Sequence, residues 1–484
     1  MYDRDQLFID GKWNAPESDC AITVISPHSE AVIGRAATAG PGDVNRAVDA
    51  ARAAFDTGPW PRMQPAERIE ALTRLAGIYK ERRADMTELI SAEIGAPISF
   101  AKRAQVMLPL TMLSAFCGLA GSYEWQQERP GLYGKNIRIV KQPVGVVAAV
   151  VPWNMPQFLT VTKVAPALLA GCSVVLKPAP ESVLDAQLLA EIVAAADLPP
   201  GVFNVVPGGR DVGEQLVSHP GVDKVSFTGS TAAGRQVALA CAAGIRQVSL
   251  ELGGKSAAVV LDDADPAATA GAIQMASLAN SGQVCNALSR ILVPEARKDE
   301  FVDALAAAME SLTVGDPSDP GTRIGPLVAQ RQQERVRGYI EAGKSEGARL
   351  VIGGSEMPDG LDAGWYVRPT LFSDANNDMR IAREEIFGPV LTVISYRDED
   401  EAVRIANDSE YGLAGSVFTA DLDRGYGVAT RVRSGTFGVN EGYIMDPVAP
   451  FGGVKNSGYG RELGVEGIDS YTVSQSISTA AAAN

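Results

Sequence analysis

Apolar residues recur at helical spacing in the amino-terminal part of the chain. Residues 43–55, 65–83 and 83–94 place an apolar side chain at every third or fourth position, with Asp, Glu and Arg between them. This spacing predicts three amphipathic helices, each of which packs one face against a sheet.

Farther along, short apolar runs alternate with helix-length segments. The runs lie at residues 144–151, 173–176, 202–206, 224–227 and 257–261. A second series follows, with helices expected at 264–280 and 298–311 and strands at 290–293, 392–396 and 415–418. Short buried strands between helices are typical of a parallel, doubly wound sheet, so we predict an α/β fold with two such layers.

Residues 129–142 differ from both series. From Lys135 to Lys141 polar and apolar residues alternate one by one, which is typical of a strand with one exposed face. This segment is predicted to form an edge hairpin.

Composition limits the class of protein. A chain of 484 residues favours two or three domains. Its 46% hydrophobic and 21% charged residues are typical of a globular protein, and its net charge of −15 argues against binding to nucleic acid or to an anionic membrane. We therefore expect small molecules and other copies of the chain as partners.

The compartment follows from the termini and the cysteines. The amino terminus has no apolar signal region, and prolines and a lysine interrupt the most apolar stretch, 144–176, so no membrane span is expected. Five unpatterned cysteines make a disulfide framework improbable and indicate a reducing cytoplasm. With two histidines and no Cys-x-x-Cys pair, no metal site is expected.

A thiol and a carboxylate carry the candidate chemistry. Cys285 ends the run NSGQVC, and Glu251, which lies 34 residues earlier, opens the run ELGGK. In a chain this poor in histidine, the pair indicates covalent catalysis in which a carboxylate moves the proton. A buried structural role is the usual one for cysteine, and we assign it to Cys20, Cys117, Cys172 and Cys241, which lack such a context.

Seven motifs together carry a resemblance to one family. They are PWN at 152–154, KPA at 177–179, FTGS at 227–230, ELGGK at 251–255, the run before Cys285, EEIFGP at 384–389 and PFGG at 450–453. Their order and approximate spacing resemble those of the aldehyde dehydrogenase superfamily, whose NAD(P)-dependent members oxidise aldehydes to acids through a cysteine thioester. The resemblance covers nearly the whole chain.

The resemblance implies roles for three catalytic residues. Cys285 would be the nucleophile and Glu251 the general base that activates the hydrolytic water. The amide of Asn154 would stabilise the oxyanion, although an Asn two residues before a proline, here Pro156, is by itself more often a turn former. An ordinary salt bridge is the alternative role for Glu251.

The coenzyme site is expected where FTGS joins a strand to a helix, since a helix amino terminus can hold a pyrophosphate. By resemblance, Lys177 would bond the adenosine ribose, Glu385 the nicotinamide ribose, and Phe387 would wall the nicotinamide ring. The expected coenzyme-binding residues are Trp153, Lys177, Gly229, Ser230, Gly234, Glu385 and Phe387.

The substrate tunnel is expected near PWN and PFGG. The expected lining residues are Met155, Phe158, Leu159, Thr162 and Phe451. Lys163 and Glu462 are candidates for positioning the water or the oxyanion. The loop at 440–448 contains no Arg that would clamp a carboxylate, which favours an apolar or aromatic aldehyde.

The resemblance also implies a division of the chain. A Rossmann-like coenzyme-binding domain would comprise 1–122 and 144–253, and an α/β catalytic domain 254–453. A small β arm at 123–143 and 468–484 would form a homodimer or a homotetramer. Where many NAD-preferring members have Glu, this chain has Pro180, so we expect NAD as coenzyme with NADP tolerated.

Three alternatives remain open at this stage. A CoA-acylating dehydrogenase would release the thioester to CoA and would not need Glu251. A nucleotide-independent thiol hydrolase would need a histidine beside the thiol, and the candidates are His28 and His219. A catalytically silent homologue would not need to keep the three catalytic residues.

Overall fold

The computed structural model describes residues 2–133 and 136–479. Met1 of the expected coenzyme domain, and residues 134–135 and 480–484 of the expected arm, lie outside the described residues. The strands are β1 (Tyr2–Arg4), β2 (Leu7–Ile9), β3 (Lys12–Asn14), β4 (Ala21–Ile25), β5 (Val32–Ala37), β6 (Gln126–Pro130), β7 (Asn136–Pro143), β8 (Val146–Val150), β9 (Ser173–Lys177), β10 (Phe203–Val205), β11 (Lys224–Thr228), β12 (Gln247–Glu251), β13 (Ala257–Val260), β14 (Arg290–Pro294), β15 (Arg349–Ile352), β16 (Thr370–Ala375), β17 (Val390–Tyr396), β18 (Gly415–Phe418), β19 (Gly438–Val439), β20 (Gly458–Tyr459) and β21 (Thr472–Ser478).

The helices follow the same order along the chain. They are α1 (Pro41–Asp56), α2 (Pro65–Glu81), α3 (Arg83–Ile94), α4 (Ile98–Phe100), α5 (Leu108–Ser122), α6 (Pro156–Ala170), α7 (Val183–Ala195), α8 (Arg210–Ser218), α9 (Thr231–Ala243), α10 (Pro266–Leu278), α11 (Lys298–Glu310), α12 (Gln330–Ser345), α13 (Arg380–Arg383), α14 (Glu399–Asn407), α15 (Leu422–Arg431) and α16 (Gly464–Asp469).

The predicted elements are confirmed with small shifts at their ends. The three amphipathic segments form α1, α2 and α3, and α1 begins two residues early because Pro41 suits a first helical turn. The five apolar runs form β8, β9, β10, β11 and β13. The predicted helix at 264–280 ends earlier, as α10 at Leu278, and a short 3-10 turn follows it.

The first large sheet is doubly wound. Its strand order is β10-β9-β8-β11-β12-β20, parallel except for the last pair. One face packs against α1, α8 and α9, and the other packs against α6 and α7. The strand order reverses between β8 and β11, the position at which such sheets bind ligands.

The second large sheet has the order β15-β16-β17-β14-β13-β18-β19, and its β15–β16 pair is antiparallel while the others are parallel. Helices α10 and α11 cover one face, and α12, α14 and α15 belong to the other. The predicted second α/β layer is therefore present, and the fold class is confirmed.

The predicted hairpin is also present. Strands β6 and β7 pair antiparallel, and the carboxyl-terminal β21 pairs with β7 to make a three-stranded sheet. The sequence did not predict that the chain between the second large sheet and β21 returns to the first large sheet. It does so through β20, which pairs with β12, and through α16, which packs on α5 and α6.

One helical stretch among the described residues, Ile98–Ser122, has the length and composition of a membrane span. Core helices of soluble proteins pass the same test. Here α5 packs against α2 and α6, and it contributes Leu113 and Phe116 to the apolar core.

Candidate active site

Two of the predicted catalytic residues lie at the carboxyl ends of strands, and the third lies in a loop that leads into a strand. Asn154 follows β8, Glu251 is the last residue of β12, and Cys285 lies in the loop between α10 and β14. Asn154 and Cys285 also line one common cavity. The fold thus brings together residues that are far apart in the sequence.

Reciprocal hydrogen bonds fix the loop before Cys285 against Asn154. The Asn154 side chain donates from Nδ2 to the backbone oxygen of Gln283 at 3.0 Å. The backbone oxygen of Asn154 accepts from Asn280 Nδ2 at 3.0 Å and from Gln105 Nε2 at 2.8 Å. The amide has a second N–H, which suits it to stabilise an oxyanion beside the thiol.

The ELGGK loop passes very close to the nucleophile loop. A Cβ on Gly254 would lie 2.5 Å from the backbone oxygen of Cys285, so only glycine fits without a shift. The backbone N–H of Gly254 also donates to Glu385 Oε1 at 3.1 Å. This close approach explains the glycine in the motif.

The thiol of Cys285 is poorly ionised in this environment. Burial raises its pKa to about 12, and the carboxylates of Glu385 and Glu251 add to the rise. A thiolate is the reactive form of cysteine. The nucleophile therefore needs a proton acceptor, and Glu251 is one of the two carboxylates whose charge acts on it.

Glu251 has the environment of a general base. Burial, and then the charge of Glu462, raise the pKa of the Glu251 carboxyl well above its usual value, while Lys163 and Arg461 oppose the rise. Neither carboxylate oxygen has a hydrogen-bond partner among the described residues. In the described part of the chain Glu251 therefore does not form the ordinary salt bridge that was its alternative role.

Lys163 and Glu462 form a buried ion pair near Glu251. The hydroxyl of Thr162 donates to Glu462 Oε2 at 3.0 Å. Glu462 in turn exchanges two backbone hydrogen bonds with Phe451, at 2.6 and 2.7 Å. The expected tunnel residue Thr162 is thus 1% exposed and bonded, so its place in the tunnel wall stays a prediction.

Two neighbouring cavities accommodate an elongated ligand. The first, of about 290 Å³, reaches the thiol and is lined by Pro152, Trp153, Asn154, Leu159, Thr228, Gly229, Ser230, Leu252, Gly253, Cys285, Gln332, Arg335, Glu385 and Phe387. The second, of about 840 Å³, contains Lys177, Arg210 and Glu214 in its wall. Ser230 borders both cavities, so a dinucleotide can extend from Lys177 to Cys285.

The expected coenzyme-binding residues differ in their positions and contacts. Ser230 caps α9 by accepting a hydrogen bond from the Ala233 N–H at 3.3 Å, which fits the expected helix amino terminus. Burial lowers the pKa of Lys177 to about 8. Gly234 borders neither cavity: a Cβ there would lie 2.5 Å from Leu252, so this glycine allows α9 to pack closely.

The inner end of the coenzyme cleft contains two residues that the sequence did not reveal. Gln332 donates from Nε2 to the backbone oxygen of Phe387 at 2.8 Å, and Arg335 donates to that of Glu385 at 2.6 Å. Both belong to the amphipathic α12, where polar residues are ordinary, so no sequence signal singled them out. The Trp153 and Phe387 rings meet edge to face at 5.4 Å.

Four of the expected substrate residues are apolar and buried, and one of them, Leu159, borders the cavity that reaches the thiol. Met155, Phe158 and Leu159 are buried at the start of α6, and Phe451 is 3% exposed. The rings of Phe451 and Tyr443 lie 6.1 Å apart. Among the described residues, no group of three or more His, Cys, Asp or Glu is placed to hold a metal ion.

Comparisons with known proteins identify the relatives of this chain. The model of the aldehyde dehydrogenase family matches residues 13–477. A geranial dehydrogenase of Castellaniella defragrans is 47% identical over 97% of both chains. An aldehyde dehydrogenase of Mycobacterium tuberculosis, solved with NAD⁺, is 46% identical with a TM-score of 0.96 and covers 98% of each chain. A variant of aldehyde dehydrogenase C of Pseudomonas syringae, solved with NAD⁺ and octanal, is 43% identical with a TM-score of 0.95, over 98% of this chain and 96% of that one.

The chain therefore belongs to the aldehyde dehydrogenase family. It is an NAD(P)-dependent enzyme that oxidises aldehydes to carboxylic acids.

The environment of Cys285 predicts its reactivity toward iodoacetamide. In the coenzyme-free enzyme we expect slow labelling at neutral pH, because a thiol pKa of about 12 leaves little thiolate. Glu385→Gln removes a carboxylate that raises this pKa, so labelling of Cys285 should accelerate by up to about tenfold, the worth of one pKa unit. Peptide mass spectrometry measures both rates. Cys20 is exposed, so its predicted buried role is wrong, and it serves as the internal control. Equal Cys285 rates in the two proteins would contradict the prediction.

Proposed function

We propose that Cys285, Asn154 and Glu251 oxidise an apolar aldehyde to its acid, with NAD as coenzyme and water as the acyl acceptor. The observation that carries the proposal is the bonded nucleophile loop: Asn154 Nδ2 and the backbone of Gln283 hold the amide beside the thiol. Glu251, buried and without a hydrogen-bond partner among the described residues, is the proton acceptor of the same site.

The two cavities fit a nicotinamide dinucleotide. Lys177 would hold the adenosine ribose, the Gly229–Ser230 turn the pyrophosphate, and Glu385 the nicotinamide ribose, with Trp153 and Phe387 beside the ring. NAD⁺ bound there supplies an acceptor for hydride. We also propose the expected division into coenzyme (1–122, 144–253), catalytic (254–453) and arm (123–143, 468–484) regions.

The residues of the chain supply the remaining chemistry. The Cys285 thiol loses its proton to solvent through a neighbouring carboxylate, and its sulfur attacks the aldehyde carbon while the Asn154 amide stabilises the oxyanion that forms. Once the hydride of that carbon has left to the bound coenzyme, the carbon remains on Cys285 as a thioester, from which the acid is released. Glu251 accepts a proton from a water, and the resulting hydroxide attacks the thioester carbonyl while the sulfur leaves.

The geometry supports water as the acyl acceptor and argues against the two rival reactions. A CoA-acylating enzyme would not need a buried, unpaired carboxylate near the thiol. A thiol hydrolase would need a histidine base, but His28 bonds Tyr366 at 2.7 Å and His219 bonds the Gly221 N–H at 3.0 Å. Both histidines are thus engaged elsewhere.

The substrate class rests on the apolar side chains of the expected tunnel. Met155, Phe158, Leu159 and Phe451 are apolar and buried, and Tyr443 adds a second ring. Relatives named for geranial and solved with octanal support an apolar aldehyde here too.

We propose a homo-oligomer, dimer or tetramer, in a reducing cytoplasm. In the three-stranded sheet both edge strands, β6 and β21, have an unpaired side, and unpaired sheet edges recruit further strands. Leu132 and Tyr133, in the turn of the hairpin, are 97% and 90% exposed. All five cysteines are free thiols, which suits a reducing compartment.

Chain length of the aldehyde tests the substrate class. Each buried methylene contributes about 0.8 kcal/mol, so kcat/KM should rise about fourfold per added methylene until the tunnel is filled. Straight-chain aldehydes from acetaldehyde to octanal provide the series. Pentanal and succinic semialdehyde form a matched pair, and a preference for the semialdehyde would refute the apolar assignment.

Two variants separate the half-reactions. Glu251→Gln should slow steady-state turnover by about 10²–10⁴-fold, which is the usual contribution of a general base. A first burst of NADH should survive in this variant if the thiol can still attack the aldehyde. Cys285→Ala should bind coenzyme normally but form NADH at less than about one hundredth of the normal rate. Stopped-flow absorbance measures both phases. Full steady turnover by Glu251→Gln would contradict the role, and rescue by CoA would favour the acylating reaction.

Pro180 predicts that NADP is tolerated. A Glu at this position would repel the 2′-phosphate by roughly 4 kcal/mol at about 4 Å and an effective dielectric of 20. The neighbouring Glu181 is paired with Arg331, and Lys177 and Arg210 lie in the cleft wall. Pro180→Glu should therefore lower kcat/KM for NADP more than for NAD.

The control for that comparison is Pro180→Gln, which changes the backbone in the same way without a charge. A wild-type preference for NAD above about a thousandfold, some 4 kcal/mol, would show that another group excludes the phosphate.

A further inference from the structure

A row of polar side chains follows the face of the first sheet below Glu251. Side chains alternate between the two faces of a strand, so Lys224, Ser226 and Thr228 of β11 share one face. Ser249 and Glu251 of β12 lie beside them, since Ser226 pairs with Ser249 and Thr228 with Glu251. We call these five residues the polar stripe.

Lys224 begins this stripe as a buried ammonium. It is 3% exposed, donates to Ser249 Oγ at 2.9 Å, and its Nζ lies 5.3 Å from the ring centroid of Tyr471. Tyr471 is buried as well, and its hydroxyl bonds Ser226 at 3.0 Å. Among the described residues Lys224 forms no ion pair with a carboxylate.

The charged groups that face Lys224 come from several elements. Burial lowers its pKa to about 8, Cys172, Glu462 and Cys241 oppose this change, and Lys163 adds to it. Glu462 also acts on Glu251 and is paired with Lys163. The buried region therefore contains two carboxyls and two ammoniums, and Lys224 is the ammonium without a contact ion pair in the described part of the chain.

We propose that Lys224, seated on Tyr471, is a positioning residue that sets the pH at which Glu251 acts as the general base. The inference rests on the proposed role of Glu251 and extends it along the polar stripe. Ser249, which holds the ammonium, is two residues from Glu251. A strand rises about 3.3 Å per residue, so their backbone positions are roughly 7 Å apart along β12. A unit charge at about that range changes a carboxyl pKa by between about one and two units at an effective dielectric near 20.

The sign of the effect follows from the charges. A positive charge favours the ionised form of Glu251, which is the form that accepts a proton from water. Without the ammonium, the pKa of Glu251 rises further, and the acid limb of the hydrolysis rate moves to higher pH. A purely structural role for Lys224 would lower the rate equally at every pH.

The test compares pH profiles of the whole enzyme with a saturating aldehyde. Lys224→Met keeps the aliphatic stem and removes the charge, so the acid limb of kcat should move up by between about one and two pH units while the NADH burst survives. Tyr471→Phe is the matched control, because it keeps the ring under the ammonium and removes only the hydroxyl. Its acid limb should stay in place.

A second variant covers the case in which Lys224→Met fails to fold. Ser249→Ala removes the acceptor of the ammonium proton and should move the acid limb in the same direction by less. An unchanged limb, or a loss that is equal at all pH values, in the variant that folds would overturn the proposal.

Failure of this inference is distinguishable from failure of the proposed function. Glu251→Gln should abolish the acid limb, since the titrating group is gone. If it does so while Lys224→Met leaves the limb in place, Glu251 is the base and Lys224 does not tune it. If the limb survives Glu251→Gln, the role of Glu251 itself is wrong.

Discussion

The hydrogen bonds between Asn154 and the nucleophile loop are the constraint on which the site depends. Asn154 follows a strand of the first sheet, whereas Asn280 and Gln283 precede a strand of the second. Asn280 and Ser281 adopt left-handed φ values of 50° and 58°, a conformation that ordinary residues avoid. The bonds to Asn154 help to hold that conformation, and they place the thiol at the junction of the two sheets.

A second constraint is the space between the loops. Gly254 lets the end of β12 pass against the backbone of Cys285, and the carboxylate of Glu385 bonds its N–H from the other side. Three titratable groups, a thiol and two carboxyls, are thereby confined to one poorly solvated region. Their mutual influence on ionisation follows from this confinement rather than from any single contact.

Much of the fold and the centre of the site could be predicted from the sequence, because the signals are local. Strand and helix periods located the elements, and the motifs around Asn154, Glu251 and Cys285 located the chemistry. Features made by distant chain segments could not be predicted. The return of β20 beside β12 depends on tertiary pairing, and Gln332 and Arg335 look like ordinary helix surface. Glu462 was named as a candidate of the site only through the family resemblance. Gly234 was assigned to the coenzyme by its motif, but it packs against Leu252.

The buried acids around the thiol also affect the free energy of unfolding. Burial raises the pKa of Glu385 from 4.5 to about 7, and it raises that of Glu251 well above 4.5. A carboxyl with a raised folded-state pKa loses its contribution to stability as the pH climbs from the unfolded value through the folded one. For Glu385 alone, the loss between pH 4.5 and 7 amounts to about 3 kcal/mol. Glu385 and Glu251 thus contribute more to the free energy of unfolding in mild acid than at neutral pH.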